Sequence, residues 1–478
     1  MSPDCGSSFQ NFLITAILPA WIERLGLACV CYTPARALES SIARPIELSA
    51  MPTQSYREFE SVVLQPGVRL CALESRKYKT VRANIILLEP LTQANATANS
   101  LLGYMLRAGT ESLPSRRDIA RAGEELFGAS VSVGTTRYGD IHTISGRAEF
   151  PADRFLPKGA NELQRVLELL AEMLTRPALD PTGTSLREET LAQEKFQLEH
   201  DLRGIIDEKP QFAMIEAQKR IYRGSPGAIY EGGRLEDISA VTGKSLLERH
   251  KSLLSNAQVM AFVTGPVAPA NALEALSKAL ILPKTKRPAL PAPFKLDARA
   301  ELLREKLKQT VEQAHVVFAW SGAPLYGEPE FAAASVADAI FGGISVSRLF
   351  KVVREEHGLA YAVSSHLSGA RGSMIGHAAV DPGKVDAAVK LVHSELTRLV
   401  KDGFEESEFE AARQSLIEAR SSQLDSLGAR VADTVFQSVM GFVRKPETEI
   451  EAIKKVEPAE VRAVLKKLKP HTEFRLAP

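Results

Sequence analysis

Cysteine is scarce in this chain: four residues in 478, Cys5, Cys29, Cys31 and Cys71. That is too few for a disulfide framework and fits a reducing compartment. Cys29 and Cys31 stand as C-x-C, which matches no common zinc or redox spacing. An excess of charge is missing as well. Lys plus Arg number 59 against 58 Asp plus Glu, a formal net charge of +1. No overall field draws in nucleic acid or an anionic membrane, so partners are recognised by shape and local chemistry. Long apolar runs are also absent. Phe12 to Tyr32 is apolar, but Pro19, Glu23 and Arg24 break it short of the roughly 20 residues that a spanning helix needs. Met1 to Asp4 carries no basic start of the kind an export signal has. Residues 1–55 therefore read as a weakly ordered extension, with Met51 a plausible functional start, and the expected location is cytoplasmic.

What is present is a large apolar content, 45%, in a chain too long for one ordinary domain. The same order of elements occurs twice. Val81 to Pro90 and Ala314 to Trp320 are apolar, β-branched strands, each followed by a helical stretch, the second over Pro329 to Gly343. Each half then carries an amphipathic helix. In the first, Leu163, Val166, Leu167, Leu170, Met173 and Leu174 form a stripe; in the second, Val385, Ala388, Val389, Val392, Leu396 and Leu399 do so. A long charged helix follows each, at Ser185 to Ile206 and Glu406 to Leu424. Between the halves, Leu282 to Lys295 holds four prolines and predicts an extended spacer. The expected division is an N-terminal unit at 56–281, a linker at 282–299 and a C-terminal unit at 300–478.

Three segments carry a resemblance: Tyr104-Met105-Leu106-Arg107-Ala108-Gly109-Thr110, Arg116 to Arg147, and Phe341 to His366. Together they resemble the pitrilysin/insulinase family of zinc metallopeptidases, the inverzincins, above all a bacterial branch and the mitochondrial processing peptidases. The resemblance implies an α+β fold. Two homologous domains, each a sheet with helices on one face, would be related by a pseudo-two-fold and enclose a cavity. Active members carry H-x-x-E-H just before M-x-x-x-G-T. Aligned on Met105, Gly109 and Thr110, this chain has Ser100, Gly103 and Tyr104 at the two histidine positions and the glutamate position between them. Serine is a poor zinc ligand, a phenol is mostly protonated at neutral pH, and glycine cannot act as a base. The family's third ligand falls among Glu188, Glu189 and Glu194, which charge patterning reads as a solvated helix face. The nine histidines contain no H-x-x-E-H, H-E-x-x-H or H-x3-5-H pairing; His366 and His377 come nearest, across a hairpin, and read as packing or surface residues. No metal or other cofactor is expected in this chain.

The second half keeps more. Arg354-Glu355-Glu356-His357-Gly358-Leu359-Ala360-Tyr361 resembles the Arg/Tyr pair that active members place opposite the zinc, where it holds the substrate backbone and the oxyanion. On residue chemistry alone, Arg354 could instead pair with Glu355 or Glu356, and Tyr361 could be a core residue. With Ser347-Arg348-Leu349-Phe350 and Gly342-Gly343 also in place, the resemblance implies a non-catalytic, substrate-binding subunit. It would pair with a homologous subunit bearing H-x-x-E-H and act on peptides or unfolded segments. The alternative is a pseudo-peptidase scaffold or binding protein with no proteolytic role.

Overall fold

The computed structural model describes residues 45–46 and 58–478. Cys5, Cys29, Cys31 and nearly all of the N-terminal extension lie outside the described residues. Two mixed sheets organise the chain. In sequence order the strands are β1 (Glu60–Gln65), β2 (Val68–Glu74), β3 (Thr80–Pro90), β4 (Ser130–Tyr138), β5 (Ile141–Pro151) and β6 (Gln258–Gly265) in the first sheet. The second holds β7 (Leu303–Lys308), β8 (Ala314–Ser321), β9 (Ala360–Ser368), β10 (Ser373–Val380) and β11 (Lys469–Ala477). The first sheet runs β1-β2-β6-β3-β5-β4 and the second β7-β11-β8-β10-β9. Without the extra edge strand β1, the two orders are the same. β2 with β6 and β7 with β11 are the parallel pairs, and every other pair is antiparallel.

The central strands β6 and β8 are buried at every residue. Such unbroken apolar runs arise where both faces of a sheet are covered. One face of the first sheet packs on helices Gln93–Leu106, Glu162–Thr175, Gly243–Asn256 and Pro269–Ala279. One face of the second packs on Val385–Lys401 and its neighbours. Each opposite face is covered by a helix from the other half. Val431, Val435 and Val439 of helix Leu427–Val439 pack with Ile86, Leu88, Met260 and Phe262 of the first sheet. Ala213, Ala217 and Ile221 of helix Lys209–Ile221 pack with Val317, Ala319, Phe474 and Leu476 of the second. Each crossing helix directly follows the long charged helix of its own half, Glu188–Gly204 or Glu406–Gln423.

The equivalent hairpin tips of the halves also meet. Arg371, in the β9–β10 turn, donates to the Gly139 carbonyl at 3.0 Å and pairs with Asp140 in the β4–β5 turn. It also stacks 4.7 Å over the Tyr222 ring. Arg137 is buried beside it, and burial followed by the Arg371 charge brings its pKa down to about 10.

Leu282 to Lys295 has no regular helix or strand, but it is anchored. Arg287 is buried and donates to the carbonyls of Leu254, at 2.7 Å, and Ala257, closing the end of helix Gly243–Asn256. Leu290 exchanges backbone hydrogen bonds of 2.8 and 2.9 Å with Ile46, which is itself buried. Cys71 lies in the core, and burial pushes its thiol up to about 12, so it is a packing residue. Among the described residues no helix is long and apolar enough to cross a membrane.

The helix expected over Pro329 to Gly343 is regular only at Phe331–Asp338; wide, π-type turns follow at Ala339–Gly343 and again at Leu349–Glu356. Asp338 sits at this change of pitch, 8% exposed, accepting from the Ser365 hydroxyl at 2.6 Å. Burial raises its pKa from 3.8 to about 7. A carboxyl whose pKa is raised on folding stabilises the fold below its unfolded pKa and loses that contribution as pH rises toward its folded value. Asp338→Asn should therefore gain stability relative to wild type between about pH 4 and pH 7, by about 1.4 kcal/mol per pH unit. Denaturation midpoints of both proteins at pH 4.5 and 7.5 check this; a constant difference contradicts it.

Candidate functional site

Helix Gln93–Leu106 starts at a capping box, Thr92 with Asn95, and turns Leu101, Leu102, Met105 and Leu106 into the core. Its polar positions are spent on internal contacts. The Ser100 hydroxyl donates to the Glu231 carbonyl at 2.8 Å. A Cβ at Gly103 would stand 2.9 Å from the Thr135 methyl group, so a side chain there requires the Thr135 side chain to shift. The Tyr104 phenol donates to Asp201, and the Arg107 guanidinium lies 4.1 Å from the centre of its ring. Burial and the Asp201 carboxylate push the phenol up to about 12. Asn99, one residue before Ser100, is buried between Glu89, Arg249 and His142, with contacts of 2.6, 3.0 and 3.1 Å.

The three candidate glutamates separate. Glu188 accepts the Gly243 N–H at 2.8 Å, and Glu189 is exposed. Glu194 is 4% exposed, which corrects the reading of these residues as one solvated face. Both its oxygens accept from Arg116, at 2.6 and 2.7 Å. A buried carboxylate needs a counter-charge, and Arg116 supplies it. Glu194 shares the buried stripe of Leu191, Leu198 and Leu202, and that helical spacing was visible in the sequence. Its partner Arg116, and Tyr104's partner Asp201, lie too far along the chain for local patterning to find.

These residues do not fit zinc. One hydroxyl is already donated, the phenol stays protonated, glycine offers no side chain and the Glu194 carboxylate is neutralised by Arg116. Among the described residues no group of three or more His, Cys, Asp or Glu is placed to hold a metal. His366 lies opposite Ile375 rather than His377. His377 instead stacks on His315, with Nε2 3.2 Å from Nδ1, and burial brings its pKa down to about 3.

The second-half pair is built differently. Arg348 ties the start of helix Leu349–Glu356 to Glu408 in a two-pronged ion pair, one contact at 2.7 Å. At the other end the His357 ring donates to the Val352 carbonyl at 2.9 Å, and Gly358 turns the chain at φ 57°, a conformation that favours glycine. Arg354 is exposed and stacks 4.7 Å over the Phe350 ring. Neither Glu355 nor Glu356 pairs with it, and among the described residues no carboxylate does. Tyr361 is 59% exposed and is not a core residue. Its backbone occupies a bulge: Ala360 pairs with Val380 and Ala362 with Ala379, leaving Tyr361 without an opposite number. Bulges of this kind re-aim a side chain.

The two halves thus repeat one α+β scaffold, with the polar groups of helix Gln93–Leu106 closed on internal partners and Arg354 and Tyr361 left exposed. Residues 240–416 match the family model described as Peptidase M16 inactive domain. The chain is similar to the probable inactive metalloprotease YmfF of Bacillus subtilis (strain 168), 26% identical over 344 residues, which cover 72% of this chain and 80% of that protein. Among solved structures it is similar to a conserved protein from Enterococcus faecalis V583, with TM-score 0.81, 25% identity and coverage of 88% of this chain and 98% of that one. It shares its fold with a peptidase M16 inactive domain from Pseudomonas fluorescens, with TM-score 0.71, 20% identity and coverage of 88% and 97%. The similarity is thus to M16 metallopeptidase homologues described as inactive, and this chain contains no H-x-x-E-H.

Proposed function

We propose that this protein is the non-catalytic, substrate-binding subunit of a two-chain zinc metallopeptidase acting on peptides or unfolded segments. The zinc and general base come from a homologous, H-x-x-E-H-bearing partner, and the complex is cytoplasmic. One observation carries this reading. The polar positions of helix Gln93–Leu106 are consumed internally, while Arg354 and Tyr361 stand exposed and unpaired on a helix and a bulge that the fold builds around them. A guanidinium and a phenol both donate to developing negative charge on a carbonyl oxygen. β4 adds support: it ends the first sheet, and such an open edge offers main-chain groups to an extended peptide.

The test is co-expression with a zinc-bearing homologue, followed by size exclusion and peptide cleavage. A stable complex should cleave, and the purified chain alone should neither retain stoichiometric zinc nor cleave. About one tightly held zinc per chain, with chelator-sensitive cleavage by the chain alone, contradicts the assignment. A complex that forms but gains nothing from this chain's presence favours a scaffold.

A further inference from the structure

On the face of the first sheet turned away from helix Gln93–Leu106 lies a cavity of about 360 Å3, roofed by the start of helix Leu427–Val439. That volume is within the range of small-ligand sites. Arg82, Glu149 and Ser130 lie side by side across β3, β5 and β4, and Asn84, Arg147 and Ser132 form the next rung. Glu149 is the cavity's single carboxylate, and Arg82 takes it at 2.7 and 2.8 Å. Arg147 is left with no carboxylate. Ser145, on the following rung, is 4% exposed, and among the described residues its hydroxyl has no partner. Opposite it stands Gly134, with nothing within 4 Å of where a Cβ would be. Gly428 brings the first turn of the helix against Arg82; a Cβ there would stand 2.6 Å from its Nη1. The positive end of the helix dipole therefore adds to the cavity wall.

The balance of these groups is specific: donors exceed acceptors, and one positive charge is uncompensated. We propose that the cavity binds a carboxylate. A planar guanidinium meets a carboxylate through two parallel hydrogen bonds, and the Ser145 and Ser132 hydroxyls lie beside Arg147 on the same floor. A single free charge next to the neutralised Glu149 suits a monoanion better than a dianionic phosphate. The carboxylate could come from a free acyl amino acid or from an acidic side chain of a peptide, and the two sources separate by experiment.

The chain alone is titrated calorimetrically with N-acetylglycine, with a capped Gly-Glu-Gly peptide and with the matching Gly-Gln-Gly peptide. Saturable binding of a carboxylate probe is expected, with the glutamine peptide silent. Binding of N-acetylglycine alone assigns a free acid, and binding of the glutamate peptide alone assigns a side chain. Arg147→Ala should weaken binding roughly tenfold or more, the loss expected for a charge-assisted contact. Arg147→Lys should restore part of it. Arg147 is exposed, so melting without ligand should be unchanged. The proposal is overturned if neither carboxylate probe binds, if the glutamine peptide binds as well as the glutamate peptide, or if Arg147→Ala binds like wild type.

Discussion

In the proposed two-chain peptidase, Tyr361→Phe and Arg354→Ala should each lower turnover roughly 10- to 1,000-fold, the range for losing one donor to an oxyanion. Both side chains are exposed, so folding and association should survive, and melting curves run alongside check this. A group that acts only in the transition state lowers kcat with little change in KM. Tyr361→Phe, which deletes one hydroxyl, should follow that pattern. Arg354→Ala should also raise KM if the guanidinium grips the peptide in the ground state. Unchanged turnover in both variants would leave this chain a scaffold.

The second large effect is on stability. Phe474 on β11 is fully buried at the seam between the second sheet and helix Lys209–Ile221, and Arg220 of that helix stacks 4.7 Å over its ring. Phe474→Ala should cost about 3–5 kcal/mol, typical of a buried phenylalanine cut to alanine. That is a large fraction of the stability of an ordinary domain. The loss should be read as a lower midpoint in chemical denaturation. A midpoint shift worth less than about 1 kcal/mol would show that the crossing helix contributes little.

The repeated architecture was legible because its signals are periodic. The stripes at Leu163 to Leu174 and Val385 to Leu399 became helices Glu162–Thr175 and Val385–Lys401, and the two apolar runs became β3 and β8. That Ser100, Gly103 and Tyr104 are poor metal ligands could be read from residue type alone. Their contacts could not, because each joins residues far apart, as does the neighbouring ion pair: Ser100 to Glu231, Tyr104 to Asp201, Arg116 to Glu194. The bulge that frees Tyr361 was hidden for a related reason. Whether a residue has an opposite number depends on the register with β10, and a short apolar strand does not announce a slipped register. Wide turns after Asp338 escaped too, because their apolar residues still satisfy a helical pattern.

The exchange of covering helices has a consequence during synthesis. The strands of the first sheet are complete once Gly265 has left the ribosome, but its second face stays incompletely covered until helix Leu427–Val439 is made. At about 5–20 residues per second, that apolar face waits on the order of ten seconds or more. A newly made N-terminal half is therefore an adhesive intermediate, and holding it apart from other chains is a task for chaperones. Contacts that close over so long a stretch of sequence also slow folding. Expressed as two separate pieces, the halves should stay insoluble singly and recover only when made together.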